Sequence, residues 1–185
     1  MAESQSGLTI FTIGHSNLTD EQLLALLNQH QIETVVDVRS APYSRFTPHF
    51  NRERLRLLLS EAGLQYAYAG EKLGGRPNDP GCYRHGVLPE PEADYLQEVD
   101  YVAVERRAWY QAGIDRLVEM ATTRRTVVMC SEESPHICHR HHLVGRTLLN
   151  RGVDVLHIRQ GGGLLRATVT LQQTDLFAAL RSDGT

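Results

Sequence analysis

The residues best suited to chemistry lie in the segment VVMCSEESPHICHRHHL, Val127 to Leu143. It holds Cys130 and Cys138, the acidic pair Glu132 and Glu133, Arg140, and four of the chain's nine histidines. A thiol at the end of a strand becomes a nucleophile when nearby cations stabilise its thiolate. Arg39, Arg45, Lys72, Arg76 and Arg140 are the candidate cations. Glu132 and Glu133 act the other way, because like charge raises a thiol pKa. Cys138 follows Pro135, which suits the first position of a helix, so its thiol would meet unpaired backbone N–H groups. Each cysteine also has a plainer reading. Cys130 ends an apolar run and fits as a small buried hydrophobe. Cys138 shares a helical face with His141, Val144, Gly145 and Leu148, a face that fits a core. Cys82 sits in a loop with only Tyr83, Arg84 and His85 beside it.

The same segment raises the question of metal. Cys130, Cys138, His139, His141 and His142, with His15, are all ligand types for zinc or iron. Seven residues between the cysteines match no compact zinc spacing, and the histidines spread around a helix. The expectation is therefore no metal and no cofactor, and a site loop leading into a helix.

Other polar groups cluster in the same way. Asp37 and Arg39 are two apart on an extended segment, so both can point one way, either as an ion pair or into a site. Arg76 follows two glycines in LGGRP, where backbone can approach a ligand and a guanidinium can grip an anion. QGGGLLR, residues 160–166, has a similar pattern. The candidate catalytic set is Cys130, Asp37, Glu132 and His15. The candidate substrate contacts are Arg39, Ser16, Arg45, Lys72, Arg76, Cys138, His139 and Arg140.

Positioning these groups falls to alternating strands and helices. LTIFTI (8–13), TVVDV (34–38), LQYAYA (64–69), TVVMC (126–130) and DVLHI (154–158) read as short buried strands. Thr19 with Gln22 forms a capping-box pattern ahead of Leu23, Leu24 and Leu27. Asn51 can cap a helix carrying Leu55, Leu58 and Leu59 that stops at Gly63. A long helical region is expected over 93–122, another helix running to Asn150, and a short last one over 175–181. Residues 70–90 hold five glycines and three prolines and read as a functional loop. The pattern is α/β: a mostly parallel sheet flanked by helices, a Rossmann-like three-layer sandwich with one long insert loop. Ligands of such sheets sit at the carboxyl ends of the strands. Gly14-His15-Ser16, Asp37-Val38-Arg39, Gly70-Glu71-Lys72 and Cys130-Ser131-Glu132 all follow strands, so Cys130, Asp37, Arg39 and His15 are expected to line one pocket.

The whole chain sets limits. Its 185 residues suit a single domain over 1–185, with a short flexible start over 1–7. At 41% hydrophobic and 22% charged it has a globular composition. No apolar run reaches the roughly 18 residues of a membrane helix, and residues 1–7 resemble neither a signal peptide nor an anchor. Three cysteines make no disulfide framework, so a cytoplasmic setting is expected. A net charge of −3 disfavours extended nonspecific binding along a phosphate backbone but allows a nucleotide or a short nucleic-acid segment.

Taken together, TIGHSN, VVDVRSAPYSRF, LGGRP and MCSEESPHICHRHHL resemble domain-of-unknown-function family 488 over residues 8–160. The resemblance falls on Gly14, His15, Ser16, Asp37, Arg39, Pro42, Gly74, Gly75, Arg76, Cys130, Glu132, Cys138, His139 and Arg140. It implies an uncharacterised protein sometimes linked to DNA repair. A weaker architectural likeness to rhodanese-like domains rests on Asp37-Val38-Arg39, Cys130 and Gly161-Gly162. There, however, the loop after the cysteine is Gly-rich, whereas here it is acidic and holds a proline. Three functions follow as expectations. The first is an enzyme acting on a nucleotide, nucleobase or nucleic-acid segment. The second is a rhodanese-like thiol enzyme using Cys130. The third is a non-catalytic nucleotide or nucleic-acid binding module. The oligomeric state is not legible.

Overall fold

The computed structural model describes residues 7–168. The described residues begin with strand β1 (Thr9–Gly14) and helix α1 (Asp20–Gln29), then β2 (Thr34–Asp37), α2 (Arg52–Glu61) and β3 (Gln65–Tyr68). Short helices α3 (Gly70–Leu73), α4 (Tyr95–Glu98) and α5 (Tyr101–Glu105) lead into the long α6 (Ala108–Thr123). Then follow β4 (Thr126–Cys130), α7 (Arg146–Asn150), β5 (Asp154–Ile158) and β6 (Leu164–Arg166). The strands form one sheet in the order β3-β2-β4-β1-β5-β6. β1 to β5 are parallel, and β6 pairs antiparallel with β5. This is the expected α/β layered architecture.

Side chains alternate across each strand, so the sheet has two apolar faces. Phe11, Ile13, Val35, Val127 and Met129 pack with Leu23 and Leu27 of α1 and Leu55 and Leu59 of α2. Ile10, Val36, Val128 and Val155 pack with Ile114 and Leu117 of α6, Leu148 of α7, and Leu73, Val99 and Val104. The start of α1 is set as its residues dictate. Thr19 Oγ1 accepts from Gln22 N at 3.2 Å, and Thr19 N donates to Gln22 Oε1 at 2.9 Å. A cap of this kind contributes about 1 kcal/mol.

Several segments take definite form, and two expectations, the single helix over 93–122 and the helix start at Pro135, are corrected. The helix expected over 93–122 is three helices, because Asp94 and Asp100 accept backbone N–H groups and start new ones. The 70–90 loop is packed, with Leu73, Cys82 and Tyr83 buried and a turn at Pro80–Cys82. Pro135 starts only a single turn, Pro135–Ile137; Cys138 is extended, and the helix begins as a π-helical stretch, Arg140–Gly145, that runs into α7. QGGGLLR makes the β5–β6 turn, where the Gly162 carbonyl accepts from Gln29 and His30. The expected last helix over 175–181 lies outside the described residues, as does the chain start apart from Gly7.

Candidate functional site at the strand ends

Two backbone hydrogen bonds carry the β1–β4 ladder past the strand ends. His15 N donates to Cys130 O at 3.0 Å and Ser16 N to Ser131 O at 2.7 Å. This brings the turn after β1 against the loop after β4. The approach is so close that a Cβ on Gly14 would lie 1.7 Å from the Glu132 carbonyl oxygen. Ser16 completes the turn with φ at +44°, a left-handed conformation uncommon outside glycine. From the other side the loop is held by Arg140, which is fully buried. Its guanidinium donates to the carbonyls of Glu132 and Glu133, and its Nε to Thr12 Oγ1 at 3.4 Å. Arg140 therefore shapes the loop, and among the described residues it borders neither of the two cavities that open at this edge.

A second buried chain fixes Arg39. Its Nε donates to Asp37 Oδ1 at 2.9 Å and its Nη2 to Asp37 Oδ2 at 2.7 Å. Tyr66 Oη also donates to Asp37 Oδ2, at 2.8 Å. Arg39 Nη1 lies 3.2 Å from His15 Nε2, and His15 Nδ1 lies 3.0 Å from the Ser16 carbonyl. A carbonyl only accepts, so Nδ1 carries the proton and Nε2 receives from Arg39. Burial, then the Arg39 charge, lower the His15 pKa to about 4, so the ring stays neutral. Asp37 is fully buried with both oxygens engaged, and both His15 nitrogens are engaged as well. Together Asp37 and His15 hold one guanidinium.

Nor do Cys130 and Asp37 share a pocket. Asp37 pairs in register with Met129, whose side chain packs on the α1/α2 face, whereas Cys130 is one residue further and packs on the α6/α7 face. Strand alternation separates them.

Cys130 has other company. Its Sγ lies 3.7 Å from His139 Nδ1, and Cys138 Sγ lies 4.0 Å from the same nitrogen. All three ligand atoms fall within 4.8 Å of one another, and all three residues are buried. Sharing a hydrogen bond with Cys138, together with burial, pushes the Cys130 thiol well up. The same bond, aided by His139, pulls Cys138 well down. Of the two thiols, Cys138 is the one lowered and Cys130 the one raised. Gly75 of LGGRP packs on this cluster, since a Cβ there would lie 2.7 Å from the His139 ring, and it also borders the larger cavity at this edge; Gly74 packs on Gly70 and Ser40.

Two adjoining cavities open over these groups. The larger, about 430 Å³, is bounded by Arg39, Arg76, Tyr95, Glu132 and the Cys130–Cys138–His139 cluster. The smaller, about 250 Å³, is bounded by His15, Ser16, Ser44 and Thr47. Arg39, Tyr43 and Glu132 border both. Arg76 is exposed, stacks 4.2 Å over the Tyr95 ring, and has its backbone N–H fixed by Ser40 Oγ at 2.9 Å. Arg45 stays outside both cavities and stacks over Phe46 at 4.7 Å. Lys72 is exposed and faces Gly113 of α6, away from both. The other histidines of the motif go elsewhere: His141 contacts His157 at 3.1 Å, and His142 contacts the His136 carbonyl. Cys82 lies apart, its thiol raised by burial. Sequence reasoning missed Tyr43, Phe46 and Tyr95. Tyr43 is 60% and Phe46 80% exposed on the loop after β2. Large aromatics between two prolines, Pro42 and Pro48, were the signal.

The fold and the site define an α/β protein with a buried arginine and a thiol–imidazole cluster at the strand ends. The family model described as "Domain of unknown function DUF488" matches residues 19–147, and the chain belongs to that family. The matched span includes Asp37, Arg39, Arg76, Cys130, Glu132 and Cys138 to Arg140, and starts after the Gly14–Ser16 turn. No curated protein and no solved structure matches. Among the described residues, no helix is long and apolar enough to cross a membrane.

Proposed function

We propose that this protein is an enzyme acting on a nucleotide or on a short nucleic-acid segment, of the kind met in DNA repair, bound in the larger cavity. Arg39 is the observation that carries the reading. Three of its five N–H groups are spent on Asp37 and His15. The guanidinium is thereby locked in place at a wall shared by both cavities, with donors left for an anion. Arg76, which borders the same cavity, would offer a second cation to the phosphate. A volume of about 430 Å³ suits a nucleotide-sized ligand. Tyr43 and Tyr95, which border this cavity, offer ring faces to bases, a contact of about 1–3 kcal/mol per base. Glu132 is exposed on the rim, where it can take or give a proton beside the cysteine cluster. A second reading, a thiol enzyme, is favoured by Cys138 lying beside both His139 and Cys130; Cys138 would then be the nucleophile in place of Cys130.

Thermal melts and titrations with nucleoside monophosphates, short single-stranded oligonucleotides and inorganic phosphate test the main reading. A ligand of this class should raise the melting temperature. Arg76→Ala should leave the unliganded melt unchanged and weaken binding about tenfold, the loss of one charge-assisted contact of roughly 1.5 kcal/mol. If no member of the panel shifts the wild-type melt, the reading fails.

A further inference from the structure

We infer that Cys130, Cys138 and His139 form a binding site for a zinc-class divalent cation, with its fourth position open to the larger cavity. Tetrahedral zinc with sulfur at about 2.3 Å and nitrogen at about 2.0–2.1 Å places neighbouring ligand atoms roughly 3.5–3.8 Å apart. The two sulfur–nitrogen distances are 3.7 and 4.0 Å, and no two ligand atoms are further apart than 4.8 Å. Only a small contraction is needed to enclose an ion. The donors are two thiols and an imidazole, a set that selects zinc over magnesium or calcium. Two thiolates and a neutral imidazole would balance the ion's charge, so the buried site would be neutral.

The chain around the cluster holds it in place. Cys130 is fixed by the end of β4. Cys138 and His139 are delivered together where the extended chain turns into the π-helical stretch. Gly75 packs on the His139 ring so tightly that no side chain fits between them. Arg140, next in sequence, is locked on the loop carbonyls. The expectation of no metal came from the seven-residue spacing of the cysteines and from treating the histidines as one helical group. Only His139 is needed, and it precedes the helix; His136, His141 and His142 lie elsewhere.

All three residues border the larger cavity, so ligand or water can complete the shell there. Three protein ligands plus one open position is the arrangement of catalytic zinc, and structural zinc is closed by four. The cation would act as a Lewis acid toward a substrate held by Arg39 and Arg76, with Glu132 as the nearby proton acceptor. That role rests on the enzyme reading above; the site itself rests on the three ligands alone.

The test is metal content and spectroscopy on the full chain, purified without chelators from zinc-supplemented medium. About one zinc per chain is expected, since a site of this strength survives purification. Cobalt exchanged into the site should give a sulfur-to-cobalt charge-transfer band and the strong visible bands of tetrahedral coordination. Cys138→Ser and His139→Gln should each abolish retained metal, and Cys82→Ser should keep it. If the ligand variants do not fold, competition of wild type with a chromophoric zinc chelator gives the affinity directly. The inference is overturned by folded wild type that retains no zinc and shows no cobalt–thiolate band. A Cys130–Cys138 disulfide formed in place of metal, or equal metal loss in Cys82→Ser, overturns it as well. Zinc without nucleotide binding would leave this site standing and remove the nucleotide reading; nucleotide binding without zinc would do the reverse.

Discussion

Replacing Asp37 separates a supporting carboxylate from a catalytic one. The side chain is fully buried, and it neutralises Arg39, itself only 5% exposed, through two contacts at 2.9 and 2.7 Å. Asp37→Ala would strand that guanidinium in a low-dielectric setting, and breaking a buried pair on one side costs about 3–5 kcal/mol. It also removes the acceptor for Tyr66 Oη and for the Arg39 backbone N–H. Arg39→Met would strand the carboxylate at a similar cost. The double variant Asp37→Ala/Arg39→Met leaves neither charge behind, so its loss should fall short of the sum of the singles by about 2 kcal/mol or more. Urea unfolding of the four proteins gives the cycle directly. A base that merely moved protons would behave differently: Asp37→Ala would leave stability nearly intact and remove activity. A single-variant loss under about 1 kcal/mol, or a cycle additive within about 0.5 kcal/mol, would refute the positioning role.

Gly14→Ala should destabilise at or beyond the upper end of the roughly 1–3 kcal/mol range for overpacking, because its Cβ would lie 1.7 Å from a backbone carbonyl held in place by Arg140; a urea midpoint near wild type would show that the loop yields. Acid should weaken the fold through His15, whose pKa is lowered from 6.5 in the free side chain to about 4. Between those values the unfolded chain binds a proton that the folded one refuses, so stability is full above about pH 6.5, falls as pH falls, and levels off below about 4. At about 1.4 kcal/mol per unit the His15 share is about 3 kcal/mol. His141 and His157, lowered to about 4 and about 3 by burial, act in the same sense. The diagnostic is therefore the difference between wild type and His15→Gln, and parallel stability–pH curves for the two would dismiss His15 as its source.

Strands were the most legible part of the fold. TVVMC and DVLHI match β4 and β5 residue for residue, because a short β-branched run between polar breaks has few other uses. Helix ends were legible where a side chain caps locally, as at Thr19, and illegible where a cap breaks an apolar pattern from within, as at Asp94 and Asp100. Strand β6 was hidden because its three exposed residues carry no alternation. At the site, residue types were readable but partners were not. Asp37–Arg39 is two residues apart and could be guessed as a pair; the third member, His15, is 24 positions away and joined only by the sheet order. The Cys130–His139 contact depends on an extended residue at 138 where proline suggested helix.

The two faces of the sheet explain why the polar residues divide as they do. Asp37 comes off the α1/α2 face and Cys130 off the α6/α7 face, so a buried acid and a buried thiol one register step apart never meet. Each builds a separate structure: Asp37 anchors a cation, and Cys130 joins Cys138 and His139. Arg39 lies beyond the last strand residue, where alternation no longer confines it, and it borders both cavities. A ligand at this edge would then meet a fixed positive charge from one side and the sulfur–imidazole cluster from the other. Glu132 borders both cavities on a loop that Arg140 holds by its backbone, leaving the carboxylate side chain outside that restraint. An anion placed by Arg39 would be presented to the cluster without any rearrangement of the sheet, because Arg39 and the cluster are buried and held by their own elements before the ligand arrives.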